Sequence, residues 1–207
     1  MADVALHTPA GEHTTTGLSN TKLAVWLFLG SECLLFGGLI STFMLYRGRV
    51  IGSGPEPAKG WPTAGKLYNI PFTSASSFVL LMSSLTMVLA VASMQRGDRP
   101  KARLWILTTA LLGCCFLAGQ AFEFTHFYRD GAGYTTSLFT SSFYTLTGFH
   151  GVHVAVGVVM LVSLYVLSGR QQWGSEKAES VEIIGLYWHF VDIVWIVIFT
   201  LVYLIPS

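Results

Sequence analysis

Five long apolar runs constrain this chain more than any other feature. They cover residues 23–46, 72–94, 104–127, 142–167 and 181–205. Each exceeds the ~20 residues that an α-helix needs to cross a hydrocarbon core of ~30 Å. Backbone groups in lipid must be satisfied within a helix or in a closed barrel, and none of these runs alternates as a barrel strand does. The expected fold is therefore an all-α integral membrane protein. It has five transmembrane helices in one domain over 23–205, preceded by a polar tail at 1–22. Composition agrees, with 52% of residues hydrophobic and 11% charged, against about 25% charged in a soluble domain. A net charge of +1 supplies no basic surface for nucleic acid.

The connecting stretches 52–71, 95–103, 128–140 and 169–180 are rich in glycine, proline or charge. One side of the membrane would carry Lys22, Arg96, Arg99, Lys101, Arg103, Arg170 and Lys177. The other would carry Arg47, Arg49, Lys59, Lys66 and Arg129. The excess on the first side, concentrated in RGDRPKAR, favours an inside N-terminus and an outside C-terminus. The polar tail lacks the regions of a signal peptide. Its His7 and His13 have too few partners nearby for a metal site. Cys33, Cys114 and Cys115 fall within apolar runs without a CxxC spacing, which predicts small buried hydrophobes.

Polar residues inside the spans are the candidate functional groups. They are Glu32, Gln120, Glu123, His150, His153, Glu182, His189 and Asp192. Residues 182, 189 and 192 are seven and three apart and share one helix face with Gly185, a face expected to meet protein rather than lipid. At ~1.5 Å per residue, Glu32, His153 and Asp192 come near the midplane. Gln120, Glu123 and His126 come near the outer edge, with His150 somewhat deeper. A charge at the bilayer centre costs about 2.5–3.5 kcal/mol on insertion scales, so partners are expected. Glu32 is expected to pair with His153, as ions or as neutral acid on neutral imidazole, with Asp192 an alternative partner for His153. Gly30, Gly37 and Ser41 mark one packing stripe, and Gly148, Gly151 and Gly157 another. Gly30 and Gly151 would let the first and fourth helices approach.

Cofactor chemistry is weakly encoded. His150 and His153 share one helix face and cannot be opposite axial ligands. A bis-His haem would have to use His153 and His189 from two helices. EFTH, Glu123 to His126, is a single Glu-x-x-His, where a carboxylate di-iron bundle needs two such motifs and two more glutamates. Neither broken helices nor inverted repeats suggest a transporter. The residues thus predict a five-helix bundle with a buried polar core, no catalytic, cofactor-binding or metal residues of its own, and a place in something larger.

Four segments carry a family likeness: WLFLGSECLLFGG, LGCCFLAGQAFEF, TGFHGVHV and YWHFVDIVW. In this order and spacing, from about Val25 to Tyr203 and with Trp61-Pro62 between, they resemble subunit III of the haem–copper terminal oxidases. The resemblance implies the five-helix form, without the first two helices of longer members. It implies a non-catalytic subunit of a cytochrome c oxidase that reduces O₂ to water with proton pumping. A quinol oxidase subunit III or the accessory subunit of a nitric oxide reductase are the alternatives. Haems and copper would sit in partner subunits I and II. This chain would bind mainly subunit I, hold phospholipid, and sustain turnover and proton uptake in a bacterial cytoplasmic membrane. Glu32 takes the place of the family's buried, carbodiimide-reactive carboxylate and His153 that of its associated histidine. Glu182, His189 and Asp192 match the last-helix motif. In longer members lipid fills a cleft walled by the two helices missing here.

Overall fold

The computed structural model describes residues 19–46, 70–170 and 176–205. His7, His13, Trp61, Pro62 and most of the polar tail lie outside them. Among the described residues are five helices and no strand: α1 (Asn20–Tyr46), α2 (Ile70–Gln95), α3 (Arg99–Arg129), α4 (Leu138–Arg170) and α5 (Glu176–Phe199). The last continues into a π-helical turn, Thr200–Leu204. All five are long and apolar enough to cross a membrane. They outrun the apolar stretches at most ends. The 31 residues of α3 reach ~46 Å, well beyond a ~30 Å core.

The short connections follow from local chemistry. Gly97 adopts φ +75 just after α2. Its N–H donates to the Met94 carbonyl and that of Asp98 to the Ser93 carbonyl, the paired bonds of a Schellman ending. Asp98 then caps α3 by accepting from the Lys101 N–H, with Pro100 in the first turn. The Lys101 side chain, 2.7 Å away, holds the Asp98 carboxyl below the usual carboxylate range. Gly131, at φ +83, ends α3 in the same way, through the Tyr128 and Phe127 carbonyls. Ser137 and Thr140 open α4 with reciprocal bonds between side chain and backbone N–H, a capping box built from two hydroxyls.

The tight α2–α3 turn makes an antiparallel pair with the most extensive interface in the bundle; α3 then packs on α4, and α5 on both α2 and α4. On α3 the buried residues Ala102, Ile106, Thr109, Gly113, Phe116, Gln120, Glu123 and Phe127 alternate four and three apart, a coiled-coil seam. At the centre lies Trp188 of α5, fully buried. Its indole N–H donates to Ser83 of α2 at 2.9 Å. A Cβ on Gly113 of α3 would come within 2.6 Å of its ring, and one on Gly157 of α4 within 2.8 Å. Trp195, two turns on, donates to Ser77 of α2 at 2.9 Å.

Helix α1 stands apart. It rests on α4 and α5 through Leu29, Phe36 and Phe43, one every seventh residue. Only 11% of its apolar span is buried in the chain, against 28–44% for the other four. This corrects one expectation: Gly30 and Gly37 have nothing within 4 Å of a Cβ and do not mediate the α1–α4 approach. They sit one position after Leu29 and Phe36, about 100° around the helix from the face that packs. Gly148 is equally open, while Gly151 receives Gln120 of α3. The three cysteines are exposed, not buried. Those on α3 lie off the seam, beside Gly113 and Phe116.

The Trp188 packing predicts that Gly113→Ala and Gly157→Ala each destabilise the bundle by about 1–3 kcal/mol through overpacking. Gly30→Ala should leave the thermal unfolding of the isolated chain in detergent unchanged. Equal effects for all three would contradict the assignment.

Candidate functional site

The spacing of His153 and Glu32 resolves into a contact. His153 Nε2 lies 3.1 Å from Glu32 Oε2, bridging α4 to α1, with both side chains about 15% exposed. His153 Nδ1 faces the Phe149 carbonyl at 2.7 Å. A carbonyl only accepts, so Nδ1 carries a hydrogen. Two arrangements of Nε2 then complete the pair: a protonated Glu32 donates to bare Nε2, or an imidazolium donates to the carboxylate. Both hold one proton between the two atoms, and neither leaves a net charge in the membrane. The Tyr187 hydroxyl of α5 donates to the His153 backbone carbonyl at 3.0 Å, fixing the same turn of α4 from the other side. Asp192 is not the partner of His153.

The α5 residues 182, 189 and 192 do share a face, and that face meets α2. Glu182 accepts from Gln95 of α2 at 3.3 Å and pairs with Lys22 of α1 at 2.8 Å. Ser19 donates to Glu179 one turn earlier. His189 Nδ1 lies 2.6 Å from the Ser84 hydroxyl of α2. Asp192 is buried at 3% exposure. The Ser84 hydroxyl faces it too, yet neither carboxyl oxygen has a hydrogen-bond partner of good geometry among the described residues. Gly185 closes on Met87 of α2, as its place on the seam suggests.

Toward the other end, Glu123 of α3 accepts from Thr73 of α2 at 2.8 Å and from Tyr203 of the π-helical turn. Gln120 donates to the Thr147 carbonyl of α4 at 2.7 Å. His126 points away from Glu123: it is exposed and pairs with Asp130 at 2.8 Å. The Glu123 and His126 side chains of EFTH therefore do not converge. His150 is fully buried, stacked on Trp195 at 4.9 Å and met edge-on by Phe116 at 5.9 Å and Phe36 at 6.4 Å. Neither of its ring nitrogens has a partner among the described residues. No group of three His, Cys, Asp or Glu side chains is assembled for a metal among those residues.

Sequence reasoning missed the other half of several of these bonds: Ser77, Ser83, Ser84 and Thr73 on α2, Tyr203, and the Lys22 ion pair. The hydroxyl-rich FTSASS and MSS stretches of α2 carried the signal, since hydroxyls inside a span bond across helices. Beside the Glu32–His153 pair an apolar groove of about 350 Å³ runs between α1, α4 and α5, lined by Val25, Phe28, Val156, Met160, Ile184 and Tyr187 among others.

These features define a helical integral membrane protein in which several ionisable side chains tie helices together. The chain belongs to the cytochrome c oxidase subunit III family, whose model matches residues 2–207. It is 38% identical to cytochrome c oxidase subunit 3 of Bacillus sp. (strain PS3), over 89% of this chain and 86% of that one. It is 36% identical to quinol oxidase subunit 3 of Bacillus subtilis (strain 168), over 95% and 92%. It is 32% identical to cytochrome bo(3) ubiquinol oxidase subunit 3 of Pseudomonas aeruginosa, over 95% and 90%. As a subunit III of this family, the chain is part of a multi-subunit oxidase.

The proton shared by Glu32 and His153 predicts unequal effects of two substitutions. Glu32→Ala strands the histidine and should destabilise α1 docking by about 1–3 kcal/mol. Glu32→Gln retains a donor and an acceptor and should cost less. Hydrogen exchange of the α1 amides reads the difference, and equal protection in both variants would count against the pairing.

Proposed function

We propose that this chain is the non-catalytic subunit III of a bacterial cytochrome c oxidase, a proton-pumping enzyme that reduces O₂ to water. The observation that carries the reading is the way the buried ionisable side chains are used. Glu32, Glu123, Glu182, His153 and His189 are each engaged by another helix or by backbone, which suits a subunit that holds shape more than one that performs redox chemistry. Haems and copper then belong to partner subunits I and II, and the chain's main contact is subunit I. Its role is to stabilise that subunit and to sustain turnover and proton uptake. The N-terminus lies inside and the C-terminus outside, as the cluster of cations between α2 and α3 favours, in the cytoplasmic membrane. Bound phospholipid is part of the reading: the apolar groove beside Glu32 and His153 offers an acyl chain a wall that does not depend on additional helices.

A quinol oxidase is the second reading, favoured by the similarity to the quinol oxidase subunits. The electron-entry site lies in another chain, so purification of the native complex decides the matter. A co-purified subunit II with a dinuclear copper centre supports cytochrome c as donor; a subunit II without copper supports quinol.

Removing this chain should leave the haem spectra of the remaining complex intact while turnover decays faster. The separated chain should contain neither iron nor copper in stoichiometric amount. Loss of haem insertion with the other subunits stably present, or one metal per separated chain, would overturn the proposal.

A further inference from the structure

Arg103 is a cation with a fixed position and no ion-pair partner among the described residues. Arg103 lies one turn into α3, at the end where α2 turns into α3. Its guanidinium sits 5.0 Å above the Tyr165 ring of α4. A Cβ on Gly169 would come within 3.0 Å of its Nη2, so the glycine leaves the room that the group occupies. Its Nε is buried without a hydrogen-bond partner among the described residues. Ring and helix end therefore hold the guanidinium in place while its Nε–H finds no partner among the described residues. A planar donor fork of this kind matches a phosphate.

The described acids at this end are committed elsewhere. Asp98 pairs with Lys101, Glu179 accepts from Ser19, and Glu182 pairs with Lys22. The surplus charge near it in sequence is positive, from Arg96 and Arg99. Depth also favours a lipid ligand over a soluble anion. Helices of 31 and 33 residues exceed the hydrocarbon core, so their ends lie at headgroup level. Leu104 and Val166, adjacent in sequence to Arg103 and Tyr165, are exposed at 58% and 43%, a surface on which an acyl chain can lie.

We propose that Arg103, seated on Tyr165 and Gly169, binds the phosphate of an acidic phospholipid in the leaflet on the α2–α3 turn side. Basic pockets between transmembrane helices suit such headgroups. This site is separate from the groove beside Glu32.

The test uses the full chain in its purified complex, exchanged into nanodiscs of phosphatidylcholine with a small fraction of phosphatidylglycerol. Retained lipid is counted by native mass spectrometry. Arg103→Gln should lower phosphatidylglycerol retention about fivefold, the loss of one basic contact. Arg96→Gln, which removes the same charge from an exposed site, should leave it unchanged. Equal losses in both variants, or no loss in either, would overturn the site. Displacement of the lipid by excess inorganic phosphate would make it a site for the free anion and overturn the lipid assignment. If Arg103→Gln fails to assemble, phosphatidylglycerol with a photoactivatable headgroup is applied to the wild type. Crosslinks should fall on the peptides holding Arg103 and Tyr165, and crosslinks only elsewhere on the bundle reject the proposal.

Discussion

Trp188 is the contact on which the rest of this bundle depends. In lipid, apolar helices gain little by burying apolar surface against one another, because the acyl chains are as apolar as the side chains. Association has to come from close packing and from bonds that lipid cannot offer. Trp188 provides both. Its ring fills the space left by glycines on α3 and α4, and its N–H reaches a serine on α2. Ser83 passes the bond on to the Leu80 carbonyl, and Ser77 does the same for Trp195 through Thr73. A large ring can lie at a four-helix junction only where the residues around it are small or hydroxylated, and these are.

Three of the acids inside the bundle meet the lipid constraint in different ways. Glu32 shares one proton with His153. Glu123 is met by two hydroxyls from two helices. Glu182, near a helix end, uses the lysine and glutamine beside it. Each solution ties two or three helices at a different depth, so the polar groups fix the relative height of the helices, which apolar packing leaves weakly specified. The π-helical turn serves the same end. The Ile205 N–H donates to the Thr200 carbonyl, inserting an extra residue per turn, and both Val202 and Tyr203 are buried there. Tyr203 can then bond Glu123 while stacking on Phe199 at 5.6 Å.

How much of this was legible depended on whether the signal was periodic or relational. The five helices were plain from length and hydropathy; depth brought Glu32 and His153 to one level, since a helix advances evenly along the membrane normal, but it left Asp192 as an alternative partner, and the family resemblance favoured Glu32. The shared face of Glu182, His189 and Asp192 followed from helical periodicity. Rotation about the axis was harder. α1 is apolar over most of its surface, and its one carboxylate, Glu32, three after Leu29 and four before Phe36, marks the packed face; the glycines one position further round were assigned to the contact instead. Cys114 and Cys115 were misplaced for a related reason: hydropathy says that a residue is in the membrane but not whether it faces lipid or protein. The heptad rhythm of α3, which passes through Gly113 and Phe116 and skips both cysteines, would have settled it.

The weak burial of α1 gives the Glu32–His153 pair its weight. Three apolar contacts at heptad spacing hold one stripe of the helix, and polar ties hold its height: Lys22 to Glu182 and Ser19 to Glu179 at one end, and Glu32 to His153 near the middle. The Lys22–Glu182 pair is about a third exposed at both partners, so solvent screens it and its contribution is small. The Glu32–His153 pair lies in a low-dielectric setting, where an unpaired partner is far more expensive than the pair is favourable. The position of α1 against the other four helices is therefore set less by what attracts it than by what its displacement would strand. That asymmetry explains how a helix with so little buried surface keeps a defined register. Glu32 to His153 is also the only described hydrogen bond between α1 and α4, so its loss acts directly on how the helix is held.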